Sequence, residues 1–149
     1  MRAVVQRVAK ASVMVNDEIV GKIGRGLLIL LGVGEDDSED DIVWMANKIA
    51  GLRIFPDKEE KMNLSAIDLK LDVLVVSQFT LYGTVKKGFR PSFTSAAPPE
   101  KGEQYYEKLV KEIEKFGLHV EKGVFGAMMD VELVNQGPVT ILIDSKKEY

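Results

Sequence analysis

Three polar side chains, Ser77, Gln78 and Thr80, follow the apolar, β-branched segment 74–76 and are the first residues of the sequence that suggest chemistry. An apolar run of this kind predicts a buried strand. A hydroxyl or amide buried without a partner costs about 1–3 kcal/mol, so polar groups here need a reason. In an extended strand, Gln78 and Thr80 lie on one face, and Ser77 and Phe79 on the other. Either these groups bond to neighbouring backbone at a strand end, or they form the floor of a ligand pocket.

The residue inventory excludes several other kinds of site. The sequence has no cysteine, which excludes disulfides and thiolate chemistry, and one histidine, His119, which excludes zinc sites with several imidazole ligands. The acidic segment 34–41 lacks the spacing of a calcium loop. A helix that begins there explains it better, because Ser38 is a good N-cap and carboxylates favour a first turn. We therefore expect no metal.

Length and composition predict an ordinary water-soluble protein with one domain over residues 1–149. Of the 149 residues, 46% are hydrophobic and 29% are charged. The sequence contains no apolar run long enough to span a bilayer, and charge recurs too soon after Met1 for a signal peptide. Together with the lack of cysteine, this favours a cytoplasmic location. The net charge of −3 argues against broad binding to polyanions, but it leaves open contact with the end of a nucleic acid.

Segment 82–93 mixes basic and aromatic residues with glycines. Its cations are Lys86, Lys87 and Arg90. Such a segment is either a solvated loop or a surface that stacks on bases and neutralises phosphates, and charge alone does not decide.

Hydrophobic periodicity predicts the elements that must position these residues. The segments 4–8, 12–15 and 18–23 predict strands with a hairpin turn at 16–17, and the apolar run 27–33 predicts a central strand covered on both faces. Helices are predicted after Ser38 and from Pro98. Further strands are predicted at 52–55, from Val73, at 118–120, 131–134 and 139–143, with a turn at 135–138. The pattern as a whole predicts a β-rich α+β domain.

Arg7 lies inside the first predicted strand. An exposed position is the commonest environment of arginine. The alternative is a buried guanidinium that fixes backbone carbonyl groups elsewhere in the chain.

Two motifs occur in this chain in the same order as in D-aminoacyl-tRNA deacylases. Together with the segments between and beside them, they make the chain resemble that family. The motifs are Ser77-Gln78-Phe79-Thr80-Leu81 and Asn135-Gln136-Gly137-Pro138-Val139-Thr140. The likeness covers essentially the whole length and includes segments 5–8, 87–93 and 125–129. The family usually has Asp where this chain has Gln136. The resemblance implies an α+β fold with a mainly antiparallel, barrel-like sheet and two main helices. It also implies a homodimer with both active sites at the interface.

The resemblance further implies hydrolysis of the ester between a D-amino acid and the terminal ribose of tRNA, with no metal or organic cofactor. Glycyl-tRNA is also accepted in the family, whereas L-aminoacyl-tRNA is rejected. The residues implied for the pocket around the ester are Ser77, Gln78, Phe79 and Thr80. Gly137 and Pro138 are implied to form a cis dipeptide that reaches into the partner's pocket, held by Arg7. Phe125 and Met129 are expected beside the terminal adenine, and Lys86, Lys87 and Arg90 at the acceptor end.

The mechanism is open at this stage. Thr80 needs a base to act as a nucleophile, and none stands out. Backbone N–H groups near Phe79 and Thr80 are candidates for oxyanion stabilisation, and the family is also interpreted as using the 2′-hydroxyl of the substrate. We favour the latter, with Thr80 as a polar pocket residue. Two other functions remain: a module that binds RNA 3′ ends, and a Thr80-dependent hydrolase of some other small ester.

Overall fold

The computed structural model describes residues 1–148, which form eight strands and three α-helices. The strands are β1 (Arg2–Val15), β2 (Glu18–Ile23), β3 (Gly26–Gly32), β4 (Phe55–Pro56), β5 (Met62–Leu64), β6 (Asp72–Ser77), β7 (Val120–Lys122) and β8 (Asp130–Asp144). The helices are α1 (Glu39–Gly51), α2 (Ala66–Leu69) and α3 (Pro99–Glu114), and a single 3-10 turn spans Phe79–Tyr82.

Strand β1 is the hub of a six-stranded sheet. It pairs antiparallel with β3, β2 and β8, whereas β3–β6 and β6–β7 are parallel pairs, so the sheet is mixed. The far edges approach each other, because the backbone N–H of Lys22 in β2 lies 3.4 Å from a carboxylate oxygen of Glu121 in β7. The predicted α+β fold with a barrel-like sheet is therefore confirmed, with parallel strands as an additional feature.

The apolar run at 27–33 forms a central strand, as predicted. Leu27 and Ile29 pack into the core shared with the helices, and Leu28 packs into the barrel interior. All three side chains are completely buried. Because both faces of β3 are covered, alternation of polar and apolar residues is absent from this strand.

The acidic segment before α1 has a structural use. Ser38 is the N-cap of this helix, and its backbone N–H donates to the Asp41 carboxylate at 2.8 Å. Buried Asp37 accepts hydrogen bonds from the α-amino group of Met1 at 2.5 Å and from the N–H of Gly34 at 2.6 Å. These carboxylates therefore organise the turn into the helix, in agreement with the prediction of a capped helix.

The structure differs from the sequence-based interpretation near both motifs. Strand β6 ends at Ser77, so the alternation assumed for Gln78 and Thr80 does not apply in the 3-10 turn. Strand β8 continues through the predicted turn at 135–138, since it pairs with β1 on both sides of that segment. The short strands predicted at 52–55 and 118–120 are shifted to 55–56 and 120–122. No helix within residues 1–148 is long and apolar enough to cross a membrane.

Candidate functional site

A cavity of about 790 Å³ opens beyond the carboxyl ends of the parallel strands β3 and β6. Helix α3 and the segment that leads into β8 complete its walls. Six residues singled out from the sequence line it: Ser77, Gln78, Phe79, Thr80, Phe125 and Met129. A crevice at the carboxyl ends of parallel strands is a common place for a ligand, because the chain leaves the sheet there in loops.

The polar floor of this cavity is built by the transition from strand to 3-10 turn. The backbone N–H of Gln78 donates to the carbonyl of Leu31 at 2.7 Å, which fixes the turn to β3. The side-chain amide of Gln78 donates to Oγ1 of Thr80 at 2.5 Å. Within residues 1–148, the backbone N–H groups of Phe79 and Thr80 make no hydrogen bond. The turn therefore leaves two adjacent donors at the cavity for a negatively charged oxygen.

No side chain in the cavity is suited to act as a base. Among the described residues that line it, Tyr106 is the only titratable one. Burial, followed by the nearby Glu107 charge, raises the pKa of Tyr106 well above its ordinary value. Its hydroxyl donates to the carbonyl of Val75 at 2.7 Å, which satisfies the group inside the core. Tyr106 is therefore a neutral structural donor, and Thr80 has no neighbour in the cavity that could remove its proton.

The walls of the cavity are aromatic and apolar. The ring of Phe79 meets that of Phe93 edge-on, with centroids 5.1 Å apart. Phe125 lies against Tyr106 at 6.0 Å between centroids. Gly102 permits this approach, because a Cβ atom there would lie 3.2 Å from Cζ of Phe125. Such surfaces accept flat apolar groups, including nucleobases.

Gly137 and Pro138 do not line the cavity of their own chain. Their peptide bond is cis, as the resemblance implies, and both residues are exposed on β8. Their segment lies beside Arg7, which pairs with Leu27, whereas the cavity begins at Leu31. Four residues of β3, or about 13 Å, therefore separate the two features.

Arg7 and Asn135 shape the segment around Gly137. Arg7 is half-buried and donates from Nε to the carbonyl of Gln136 at 2.8 Å, and from Nη1 to that of Ile54 at 2.7 Å. The side-chain amide of Asn135 accepts from the N–H of Val139 at 2.7 Å and donates to its carbonyl at 3.2 Å. Arg7 therefore makes the carbonyl contacts that were one of its two sequence-based alternatives.

The basic residues lie outside the cavity but are connected to it. Lys86, Lys87 and Arg90 are exposed on a hairpin over residues 84–92, closed by two backbone hydrogen bonds between Thr84 and Ser92 at 2.9 and 3.0 Å. This hairpin follows directly from the 3-10 turn of the cavity floor. The structure thus places the cations beside the candidate site without bringing them into it.

The lining residues that sequence reasoning did not assign to the site include Phe93, Gly102 and Tyr106. Tyr106 lies on the apolar face of α3, where its ring is buried. The sequence feature that could have indicated Tyr106 is a hydroxyl on an otherwise apolar helix face, since a buried hydroxyl needs a partner. Gly102 is a weaker indication of a close contact, because glycine is unfavourable in the first half of a helix.

Comparisons with known proteins show the family of the chain. A model of the family described as D-Tyr-tRNA(Tyr) deacylase matches residues 4–144. Proteins named D-aminoacyl-tRNA deacylase from Koribacter versatilis and Thermotoga petrophila are 62% and 59% identical to this chain over 149 residues, 100% of each chain.

Two solved structures share the fold. One, titled "c-Myc DNA Unwinding Element Binding Protein", has a TM-score of 0.91 and 41% identity over 97% of this chain and 98% of that chain. The other, of a probable eukaryotic D-amino acid tRNA deacylase, has a TM-score of 0.81 at 20% identity and covers 95% and 97% of the two chains.

Proposed function

The chain belongs to the D-Tyr-tRNA(Tyr) deacylase family, and on this premise we propose that it hydrolyses the ester of D-aminoacyl-tRNA to free tRNA and D-amino acid. Its role would be proofreading in translation, in the cytoplasm, with the tRNA 3′ end as its nucleic-acid partner. The observation that carries the proposal is the cavity floor, where two backbone donors and the hydroxyl of Thr80 surround a space without a base.

The chemistry follows from what the cavity contains. Attack of water on the ester carbonyl forms a C–O bond and a tetrahedral oxyanion, and the bond to the ribose oxygen then breaks. The N–H groups of Phe79 and Thr80 are suited to stabilise that oxyanion. Since the cavity offers no side-chain base, the proton of the attacking water is transferred with the help of the substrate's own 2′-hydroxyl, and the ribose oxygen leaves as a hydroxyl. Gln78 orients Thr80 as a polar pocket residue.

Chiral selection is assigned to Gly137 and Pro138. Because these residues are exposed and outside their own cavity, they are free to enter the cavity of a second subunit. Gly137 has no Cβ, so its backbone can approach the Cα of a substrate closely. A carbonyl group there would collide with an L side chain and leave a D side chain free. Such a site accepts many D-amino acids and cannot exclude glycine.

This arrangement requires a homodimer. Each cavity is completed by the Gly137–Pro138 segment of the other subunit, which Arg7 holds through Gln136. A monomer would lack the residues that reject L substrates. Sedimentation at assay concentration should therefore give twice the chain mass, and a fully active monomer would contradict the proposal.

The tRNA end is recognised by two sets of residues. Phe125 and Met129, which form an apolar wall of the cavity, are suited to flank the terminal adenine. Lys86, Lys87 and Arg90 lie on the adjacent hairpin, where they can neutralise phosphates of the acceptor end.

Incubation with D-tyrosyl-tRNA and L-tyrosyl-tRNA tests the proposal directly. We expect rapid release of D-tyrosine and no acceleration of L-tyrosine release over the uncatalysed rate. Glycyl-tRNA should also be hydrolysed, and several different D-aminoacyl-tRNAs should react at similar rates. A protein that binds RNA 3′ ends would instead protect both esters, and a general esterase would hydrolyse small esters without tRNA.

A further inference from the structure

The hairpin at residues 84–92 has a charge distribution unlike the rest of the chain. The chain has 23 acidic residues and a net charge of −3, yet none of those acids falls between residues 73 and 99. Lys86, Lys87 and Arg90 are exposed, and within residues 1–148 they form no ion pair or hydrogen bond. Three cations without acidic neighbours attract anions, even though the whole protein is acidic.

Phe89 lies among these cations with its ring entirely in solvent. Its exposed fraction is 103%, the highest of the large hydrophobic side chains in residues 1–148. Because the ring packs on nothing in its own chain, both of its faces are available to a ligand. Aromatic rings interleaved with cations are the elements with which proteins bind unpaired nucleotides, since the ring stacks on a base and the cations contact phosphates.

The hairpin is anchored to the floor of the cavity. Phe93, which follows its second strand, packs edge-on against Phe79, and the N–H of Gly83 donates to the carbonyl of Thr80 at 2.9 Å. Four residues separate the bridge between Thr84 and Ser92 from the tip of the hairpin.

We propose that this hairpin binds the unpaired nucleotides that precede the terminal adenosine of the tRNA, with Phe89 stacked on one base. This inference rests on the proposed function, because it takes the terminal adenosine to occupy the cavity. Lys86, Lys87 and Arg90 contact the adjoining phosphates. Stacking tolerates any base, so the hairpin selects a single-stranded end rather than a base sequence.

The decisive comparison uses Phe89→Leu, which keeps an apolar side chain, and Phe89→Trp, which keeps an aromatic ring. With D-tyrosyl-tRNA, Phe89→Leu should raise KM about tenfold at nearly constant kcat, and Phe89→Trp should retain the wild-type KM. With D-tyrosyl-adenosine, which is too short to reach the hairpin, both variants should match the wild type. Val85→Ala removes another exposed apolar side chain of the same hairpin and should change neither KM.

A binding measurement separates this inference from the proposed function. Fluorescence anisotropy with a labelled single-stranded RNA of the tRNA 3′-end sequence should show weaker binding by Phe89→Leu, and a duplex of the same sequence should show no difference between variants. An unchanged affinity for the single strand, or an equal loss with D-tyrosyl-adenosine, would overturn the inference. A wild-type protein that binds the RNA through Phe89 but hydrolyses neither ester would refute only the proposed function.

Discussion

Arg7 donates a 2.8 Å hydrogen bond from Nε to the backbone carbonyl of Gln136, the residue immediately before Gly137. The contact uses the backbone of Gln136 and not its side chain, which is exposed. The bond that positions the segment therefore does not depend on the side chain at position 136. A second bond from Arg7 to the carbonyl of Ile54 ties β8 to the chain before β4.

Replacement of Arg7 by lysine should therefore destabilise the protein. One ammonium group cannot reach both carbonyls in the planar geometry of a guanidinium. We expect the free energy of unfolding to fall by about 2 kcal/mol, since hydrogen bonds to charged groups contribute about 1.5–3 kcal/mol each. Urea denaturation measures this loss, with Arg90→Lys as control, because Arg90 is exposed and forms no hydrogen bond or ion pair within residues 1–148. Equal stability of the two variants would show that the Arg7 contacts are dispensable.

Replacement of Gly137 by alanine should impair both stability and chiral selection. Gly137 has φ of 141°, and a Cβ atom there would lie 2.8 Å from Cγ2 of Val139 and 3.0 Å from Nη2 of Arg7. Strain of this kind costs about 1–3 kcal/mol. Gly24→Ala is a matched control, because nothing lies within 4 Å of its Cβ position. Thermal unfolding and the ratio of D to L hydrolysis should change for Gly137→Ala and stay constant for the control.

Thr80→Ala should retain activity within about tenfold of the wild type. Its hydroxyl accepts a hydrogen bond from Gln78, and no base lines the cavity to make it a nucleophile. Loss of one neutral hydrogen bond corresponds to about 1 kcal/mol, or roughly fivefold in rate. Single-turnover hydrolysis of D-tyrosyl-tRNA gives the rate. An aminoacyl ester trapped on Thr80 of the wild type, or an inactive variant that still binds substrate, would reverse the assignment.

Asp41→Asn should remove a pH-dependent part of the stability. Burial alone would raise the pKa of Asp41, but hydrogen bonds from the Ser38 backbone, Ser145 and Lys146 together hold it well below its ordinary value. A carboxyl group with a lowered pKa stabilises the fold at pH values above its ordinary pKa near 4. This stabilisation is lost as the pH falls further. The variant should be about 1 kcal/mol less stable at pH 7, the usual effect of a helix cap.

Urea denaturation at pH 7, 5 and 3 checks this prediction. The difference in free energy of unfolding between the wild type and Asp41→Asn should be constant from pH 7 to 5 and smaller at pH 3. Asp40→Asn, at an exposed position in the same helical turn, is the control. A difference that grows with acidity would contradict the assignment of the low pKa to Asp41.

Chelation should leave deacylation within about twofold. Residues 1–148 contain no cluster of three or more His, Cys, Asp or Glu side chains arranged to hold a metal ion. Activity is measured after dialysis against EDTA, with tRNA folding followed by its ultraviolet melting curve. Specific loss of activity with folded tRNA, restored by one metal, would refute metal independence.

The elements with strong local signals could be predicted from the sequence. The hairpin turn at Asn16 and Asp17 has positive φ at both residues, as its residue types suggest. The apolar run at 27–33 has no plausible state except a central strand. Of the six cavity residues, Ser77, Gln78 and Thr80 stand out because polar types occur where a core strand would be apolar. The other three, Phe79, Phe125 and Met129, follow only from the family resemblance.

The features that the sequence does not predict depend on contacts between segments that are distant along the chain. The pair Gly137–Pro138 is a strong turn signal. The side chain of Asn135 instead bonds to the backbone of Val139, and the strand continues beyond the irregularity. The parallel pairing of β3 with β6 is likewise invisible in either segment, since only the fold brings residues 26–31 beside 72–77.

The pairing of β1 with β8 has a consequence for synthesis on the ribosome. It joins Arg2 to Asp144 and Met14 to Asp130, so one edge of β1 stays uncovered until those later residues are made. At 5–20 residues per second, translation of the intervening chain takes roughly 6–28 s. An unpaired strand edge is a site for association between nascent chains. Completion of the sheet is therefore a late event with high contact order, and the early chain depends on rapid pairing with β2 and β3 or on chaperones.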